Sequence, residues 1–202
     1  MRKIILASGS PRRKELLTMM GLDFDVVPSD FDEWLDDDRM PEEMSITLGL
    51  GKAREVAACY PEAIIIGSDT IVTVGDRQLG KAGDNKEARE MWQLVASAPN
   101  KITTSAVVIC QAENYEFAAS DNAFVTFKPY DEAAIEAYLA TDDWRDKAGA
   151  WSIQKCRSLM EMVEGDIETI VGLPTRLLVE PLAHFGISAS RAGYQLQPGG
   201  VV

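Results

Sequence analysis

The stretch Ile4-Ile5-Leu6-Ala7-Ser8-Gly9-Ser10-Pro11-Arg12-Arg13-Lys14-Glu15-Leu16-Leu17 sets the architecture of this chain. Ile4–Leu6 reads as a short buried strand, and Leu16, Leu17 and Met20 recur at helical spacing. Ser10 suits the N-cap of that helix, and Pro11 suits its first position, where a missing N–H costs nothing. The segment therefore predicts a strand, a tight turn and a helix whose unpaired N–H groups face back at the turn. Arg12 and Arg13 fall in the first helical turn, where a cation opposes the macrodipole. A chain tuned for stability alone would place Asp or Glu there. Two readings follow: an anion site suited to a phosphate chain, or a basic surface cluster on an ordinary helix.

Outward from this unit, strand-like and helix-like segments alternate. Phe24–Val27 reads as a short strand, followed by a polar loop to about Pro41 and a helix over 42–60. Gly49 and Gly51 weaken the middle of that helix. Residues 63–67, Ala-Ile-Ile-Ile-Gly, are apolar throughout, as in a strand buried on both faces. Ile71–Val74 predicts a strand entering a turn at Gly75-Asp76. A helix over 84–97 places Ala88, Met91, Trp92 and Val95 on one face. Two long strands, 102–111 and 116–127, join through Glu113-Asn114. A helix over 132–140, a strand over 159–163 and a last helix over 173–186 complete the pattern. The chain reads as a single α/β domain over 1–187, a mixed twisted sheet with flanking helices. Residues 188–202 are expected to form a disordered tail.

Composition narrows the class. The 202-residue chain can bury a substantial core, and no apolar run is long enough to span a membrane or act as a secretory signal. Three widely spaced cysteines, Cys59, Cys110 and Cys156, form neither a disulfide framework nor a zinc pattern and point to a reducing cytoplasm. A formal charge of −12 argues against general nucleic-acid binding. An acidic protein that binds a polyanion must gather its cations locally, which sharpens the reading of Arg12 and Arg13. The acid-rich stretch Asp30–Asp38 reads as a solvated loop apart from Glu33.

Three further segments carry chemistry. Gly67-Ser68-Asp69-Thr70 follows the apolar strand, where α/β sheets place their ligand crevices. Asp69 there either holds a metal or an attacking water, with Thr70 beside it, or merely closes a turn. Lys52 and Lys81 are either anion ligands or solvated surface lysines. Asp146-Lys147-Ala148-Gly149-Ala150-Trp151-Ser152-Ile153-Gln154 is either a loop around a buried Trp or a base-reading segment. In the second case the Gln154 amide donates and accepts together.

Taken in order, Leu6–Leu17, Lys52-Ala53, Gly67–Val72, Leu79-Gly80-Lys81, Asp146–Gln154 and Val171-Gly172-Leu173-Pro174 resemble the motifs of the Maf family of nucleoside triphosphate pyrophosphatases. The resemblance spans residues 4 to about 186. It implies an inosine-triphosphatase-like, two-lobed α/β fold around a nucleotide cleft. It also implies hydrolysis of a nucleoside triphosphate to monophosphate and pyrophosphate with a divalent cation, Mg²⁺ or Mn²⁺. By position Asp69 takes the family's proton-acceptor role, and Ser8, Ser10, Arg13, Lys52 and Lys81 fall on its phosphate-binding positions. Glu33 falls on a family acidic position and is a second metal candidate beside Asp69.

Arg12, Thr70 and Gln154 occupy the three positions that separate the family's branches, and all three are similar to the dTTP/UTP pyrophosphatase branch. A glutamine matches the adjacent acceptor and donor of a uracil or thymine edge, whereas a carboxylate suits guanine. The family is also associated with arrest of cell division and septum formation. The alternatives are therefore the same chemistry on 7-methyl-GTP or another purine nucleotide, and a non-catalytic nucleotide-binding regulator. A homodimer is expected by resemblance. Departures are Ala82 in place of the usual proline, Lys155-Cys156-Arg157 in place of a glycine-rich stretch, and Gly49 and Gly51 in the helix bearing Lys52.

Overall fold

A computed structural model describes residues 2–195 of the chain. Its elements are β1 (Ile4–Leu6), α1 (Pro11–Met19), β2 (Asp25–Val26), α2 (Pro41–Cys59), β3 (Ile64–Gly67), β4 (Thr70–Val74), β5 (Arg77–Leu79), α3 (Asn85–Val95), β6 (Asn100–Cys110), β7 (Tyr115–Phe127), α4 (Glu132–Leu139), β8 (Met160–Glu164), α5 (Ile167–Val171) and α6 (Val179–His184). Short 3₁₀ turns lie at Gln111–Glu113, Arg157–Leu159 and Thr175–Leu177. The mixed α/β class expected from the sequence is the one observed.

The strands form one sheet in the order β2-β1-β3-β6-β4-β5, with β7 on β6 and β8 beyond it. Strand β1 pairs parallel with β2 and β3, and the other pairings are antiparallel. Strand β6 is the spine. On one side β7 follows its whole length, and on the other β3 and β4 pair with it in succession. Between them the chain leaves the ladder for two residues, Ser68 and Asp69. There Ser105 replaces the lost pairing: its N–H donates to the Asp69 carbonyl (2.9 Å) and its hydroxyl accepts from the Asp69 N–H (3.0 Å). A carboxylate is thus carried at a break in the middle of the sheet.

Period-two alternation divides β3 between two layers. Ile65 packs with Ile5, Ala53, Val56 and Val107 beneath α2. Ile64 and Ile66 face the larger core, which holds Leu16, Leu17, Trp92, Ile102 and Leu182. At its centre Trp92 meets Phe127 and Tyr138 edge-on, at 5.0 and 5.4 Å, and its indole N–H donates to the Ala150 carbonyl.

Helix α2 runs unbroken through Gly49 and Gly51. A Cβ at Gly49 would stand 2.5 Å from the Ser105 hydroxyl, and one at Gly51 2.3 Å from the Phe31 ring. A Cβ on Gly67 of β3 would meet the Gly49 carbonyl at 2.6 Å. The glycines that weaken α2 as a helix let it lie close on the sheet, which brings Lys52 to Asp69.

The structure departs from the sequence reading in several places. Ser10 stands at the N-cap of α1 with Pro11 following, but its side chain makes no capping hydrogen bond; its N–H donates instead to the Ser8 hydroxyl (3.3 Å). The last helix is not continuous over 173–186, because Pro181 lacks the N–H that a longer helix would use. The segment becomes the 175–177 turn and α6, which places Pro181 in its first turn. Helix α5 was not anticipated. It is only five residues long, capped by Asp166 and ended by Gly172 at φ 118°, too short for periodicity to register. Strand β5 was missed for the same reason. Residues 188–195 form no regular element but run along the body, where Ala192 N–H donates to the Thr175 hydroxyl (2.9 Å). The expected tail beyond Gln195 lies outside the described residues.

Candidate active site

The turn after β1 places Ser8 and Arg13 together. Arg13 is fixed by three acceptors: Nε donates to the Gly172 carbonyl (2.8 Å), Nη1 to the Ser8 hydroxyl (3.1 Å) and Nη2 to the Thr70 hydroxyl (3.2 Å). The Gly172 carbonyl also accepts from Ser68 (3.0 Å). Thr70 in turn lies 3.1 Å from the Thr104 hydroxyl, which donates to the Thr169 carbonyl. Arg13 is therefore held between the first turn, the β3–β4 break and the end of α5. Neighbouring Arg12 lines the same cleft with a buried Nε that has no partner among the described residues.

Lys52 reaches from α2 to the other side of the break. Its ammonium donates to Asp69 Oδ1 and to Glu33 Oε1 (2.6 Å), while Lys81 donates to Glu33 Oε2 (2.9 Å). Asp69 and Lys52 are 6 % and 7 % exposed, so their charges meet in a low-dielectric setting where pairing is strong and unpaired charge is costly. The two carboxylates are driven apart. Burial pushes the Asp69 carboxyl above the ordinary aspartate value, against the opposing pull of Lys52 and Arg13. Burial would raise Glu33 too, but hydrogen bonds from Lys52 and Lys81 prevail and hold it at about 2. A pair so separated supplies one carboxylate that stays charged and one that takes up a proton more readily than an ordinary aspartate.

These groups line a cleft of about 1150 Å³. Ser8, Ser10, Arg12, Arg13, Glu33, Lys52, Asp69, Thr70, Lys81 and Gln154 all lie on its wall, so the structure brings every sequence-derived candidate to one cavity. They are not all in mutual contact. Lys81 is tied to the far segment by a bridge to Ala148 and by Gly149 N–H donating to the Gly80 carbonyl (3.0 Å). Gln154, at the other end, touches none of the charged groups through hydrogen bonds; its Nε2 donates to the Tyr194 phenol (3.4 Å). Among the departures from the family pattern, Cys156 is buried and its thiol donates to the Ser152 carbonyl (2.8 Å), and Ala82 joins the main core.

Several contributors were not legible in sequence. The Gly172 carbonyl and Thr104 orient Arg13 and Thr70 through backbone and hydroxyl contacts that no spacing rule exposes. Asp143, which accepts from Ser152 (2.7 Å), and the half-exposed Trp34 and Leu35 also line the cleft. The acidic loop is more than a solvated run: Asp37 accepts from the Gln78 N–H (2.8 Å), and the Gln78 amide donates to the Asp36 and Arg39 carbonyls. That docking on β5 steadies the loop bearing Glu33.

Among the described residues no three His, Cys, Asp or Glu side chains converge as a self-contained metal cage. Glu33 and Asp69 nevertheless aim oxygens at one ammonium, which shows that their shared space favours a cation. No helix there is long and apolar enough to cross a membrane.

The sequence profile described as Maf-like protein matches residues 3–185. A dTTP/UTP pyrophosphatase of Bacillus cereus (strain ZK / E33L) is 39% identical over 193 residues, covering 95% of this chain and 100% of the relative. Proteins of the same name from Bacillus anthracis and Bacillus cytotoxicus are also 39% identical over 193 residues, with the same coverage.

Proposed function

The chain belongs to the Maf-like protein family, and from that premise we propose that it hydrolyses dTTP and UTP to the nucleoside monophosphate and pyrophosphate. The observation that carries this reading is the juxtaposition across one cleft of Asp69, raised by burial, the buried Lys52 and the half-buried Arg13. A triphosphate suits that pairing because its oxygens can take up the cations while its α-phosphorus faces the carboxylate.

In the proposed mechanism Arg13, Lys52 and Lys81, with the Ser8–Ser10 turn, bind the triphosphate. Arg12 stands beside them toward the base. Asp69 orients a water and accepts its proton as the water oxygen attacks the α-phosphorus. The bond to the α,β-bridging oxygen breaks, and pyrophosphate leaves with that oxygen. Its developing charge falls on groups already fixed, so catalysis rests on positioning and charge neutralisation. A divalent cation, when bound, would be held by Glu33 and Asp69 together with phosphate oxygens and would supply further charge neutralisation. Gln154 faces the base end, where its amide pairs with the O4 and N3–H edge of uracil or thymine.

The test is pyrophosphate release from dTTP, UTP, CTP, GTP and 7-methyl-GTP in the presence of Mg²⁺ or Mn²⁺. The reading expects dTTP and UTP to be turned over fastest. It expects Asp69→Asn to lower kcat by about 10²- to 10⁴-fold, the usual scale of general-base loss, with an unchanged circular dichroism spectrum. Fastest turnover of 7-methyl-GTP would transfer the site to the purine reading. Full activity in Asp69→Asn would remove Asp69 from its role.

A further inference from the structure

Helix α5 has only five residues, and a helix that short depends on its surroundings for its position. It ends at Gly172, whose carbonyl accepts from Arg13 Nε (2.8 Å) and from the Ser68 hydroxyl (3.0 Å). The orientation of Arg13 therefore depends on whatever fixes α5. One attachment is to the sheet: the Thr169 hydroxyl donates to Asp121 of β7 (2.5 Å), and the Thr169 carbonyl accepts from Thr104 of β6. The other runs through Glu168.

Glu168 is fully buried. Its backbone carbonyl accepts from the Gly172 N–H (3.0 Å) and the Leu173 N–H (2.9 Å), which shapes the turn that presents the Gly172 carbonyl. Its carboxylate joins the segment 188–195. Oε1 accepts from the Tyr194 N–H (3.1 Å), with the Arg191 guanidinium 3.7 Å away, and Oε2 accepts from the Thr175 hydroxyl. The same hydroxyl accepts from the Ala192 N–H (2.9 Å), and Ala189, Ala192 and Tyr194 pack on the main core. A buried carboxylate is tolerated only when its oxygens are paired. Residues 191–194 supply much of that pairing, and Glu168 in return holds them down.

We propose that the segment 188–195 is a strap, and that Glu168 and Thr175 are positioning residues that act on Arg13 through the Gly172 carbonyl; the consequence for turnover rests on the reading of the cleft given above. With the strap latched, α5 is held both at the sheet and at Glu168. The Gly172 carbonyl then fixes Arg13 Nε, while the Ser8 and Thr70 hydroxyls take its other two nitrogens. A guanidinium fixed in advance meets a triphosphate without first having to be ordered. Removing the Thr175 hydroxyl leaves Glu168 Oε2 and the Ala192 N–H without that partner. Both recover one from water if the strap lifts, and a lifted strap frees α5 and the carbonyl it carries.

The experiment measures hydrogen exchange at the Arg13 Nε–H of the full chain by NMR, without ligand, together with kcat/KM for UTP. Loss of the signal in Arg13→Lys assigns it. The Trp92 indole N–H, which donates to the Ala150 carbonyl inside the main core, reports general loosening. Thr175→Val keeps the side-chain shape without the hydroxyl, and Thr175→Ser keeps the hydroxyl. The expected result in Thr175→Val is Arg13 exchange about three- to tenfold faster relative to Trp92, the scale of one lost hydrogen bond. A similar fall in kcat/KM should accompany it, and Thr175→Ser should restore both. Glu168→Gln offers one accepting oxygen where the carboxylate offers two; it should act in the same direction, and it carries the test if Thr175→Val fails to fold. In the Arg13→Ala background Thr175→Val should lower kcat/KM no further, because its effect passes through that guanidinium. Exchange at Arg13 unchanged relative to Trp92 would overturn the proposal. So would faster exchange with unaltered kcat/KM, or an equal fall of kcat/KM in the Arg13→Ala background. Exchange is read without substrate, so a wild type that leaves UTP intact would overturn the proposed function while exchange still decides the strap.

Discussion

Asp69 and Glu33 share the Lys52 ammonium yet are shifted in opposite directions, because one is enclosed and the other reaches solvent beside a second lysine. The proposed base must be deprotonated to act, and burial raises its pKa. The acid limb of kcat/KM should therefore fall at a pH above the ordinary aspartate range, with activity lost as pH drops through the raised value. Rate profiles in a non-coordinating buffer series check this. A limb at or below the usual aspartate value would contradict it. For Glu33 the sign is reversed. Its folded-state pKa is depressed to about 2, so its stabilisation is complete above the ordinary glutamate value and is lost as pH falls toward about 2. Unfolding temperatures across that acid window should decline less steeply in Glu33→Gln than in the wild type. Parallel declines would show that the Lys52 and Lys81 contacts do not stabilise the fold through this carboxylate.

At the scale of elements, the site depends on how closely α2 lies on β3 and β6. Gly67 meets Gly49 backbone and the Ala53 methyl, neither of which can swing aside. Gly67→Ala should destabilise the protein by roughly 1–3 kcal/mol, as overpacking does, although alanine is ordinarily the better residue in a strand. Urea denaturation measures it, and an equal or higher midpoint would contradict the close-approach account. This is also where sequence reading reached its limit. The apolar run 63–67 and the turn after Leu6 were legible because burial and the fixed φ of Pro11 at a helix start follow local rules. The use of Gly49 and Gly51 was not, since their value lies in contacts with Ser105 and Phe31, far away in the chain. Helix α5 and strand β5 were too short to show a period, and Pro181 divided a segment that read as one helix.

At the scale of the whole molecule, the long strand β6 lets β3 and β4 follow one another along a single edge, and the two-residue break between them carries Asp69. Segments from both ends of the chain then converge on that break: the turn at Ser8–Arg13, and the end of α5 at Gly172. Each candidate was visible in sequence as a residue type in a suggestive local setting. Their meeting in one cleft was implied by the family likeness, and the hydrogen bonds that hold it are visible only in three dimensions. The most direct test is a crystal structure of Asp69→Asn with α,β-imido-UTP and Mg²⁺. The account predicts the triphosphate lying between the Ser8–Arg13 turn and residue 69, with the α-phosphorus facing the substituted side chain and the uracil edge at Gln154. A nucleotide bound elsewhere, or one that leaves residue 69 beyond reach of the α-phosphate, would contradict it.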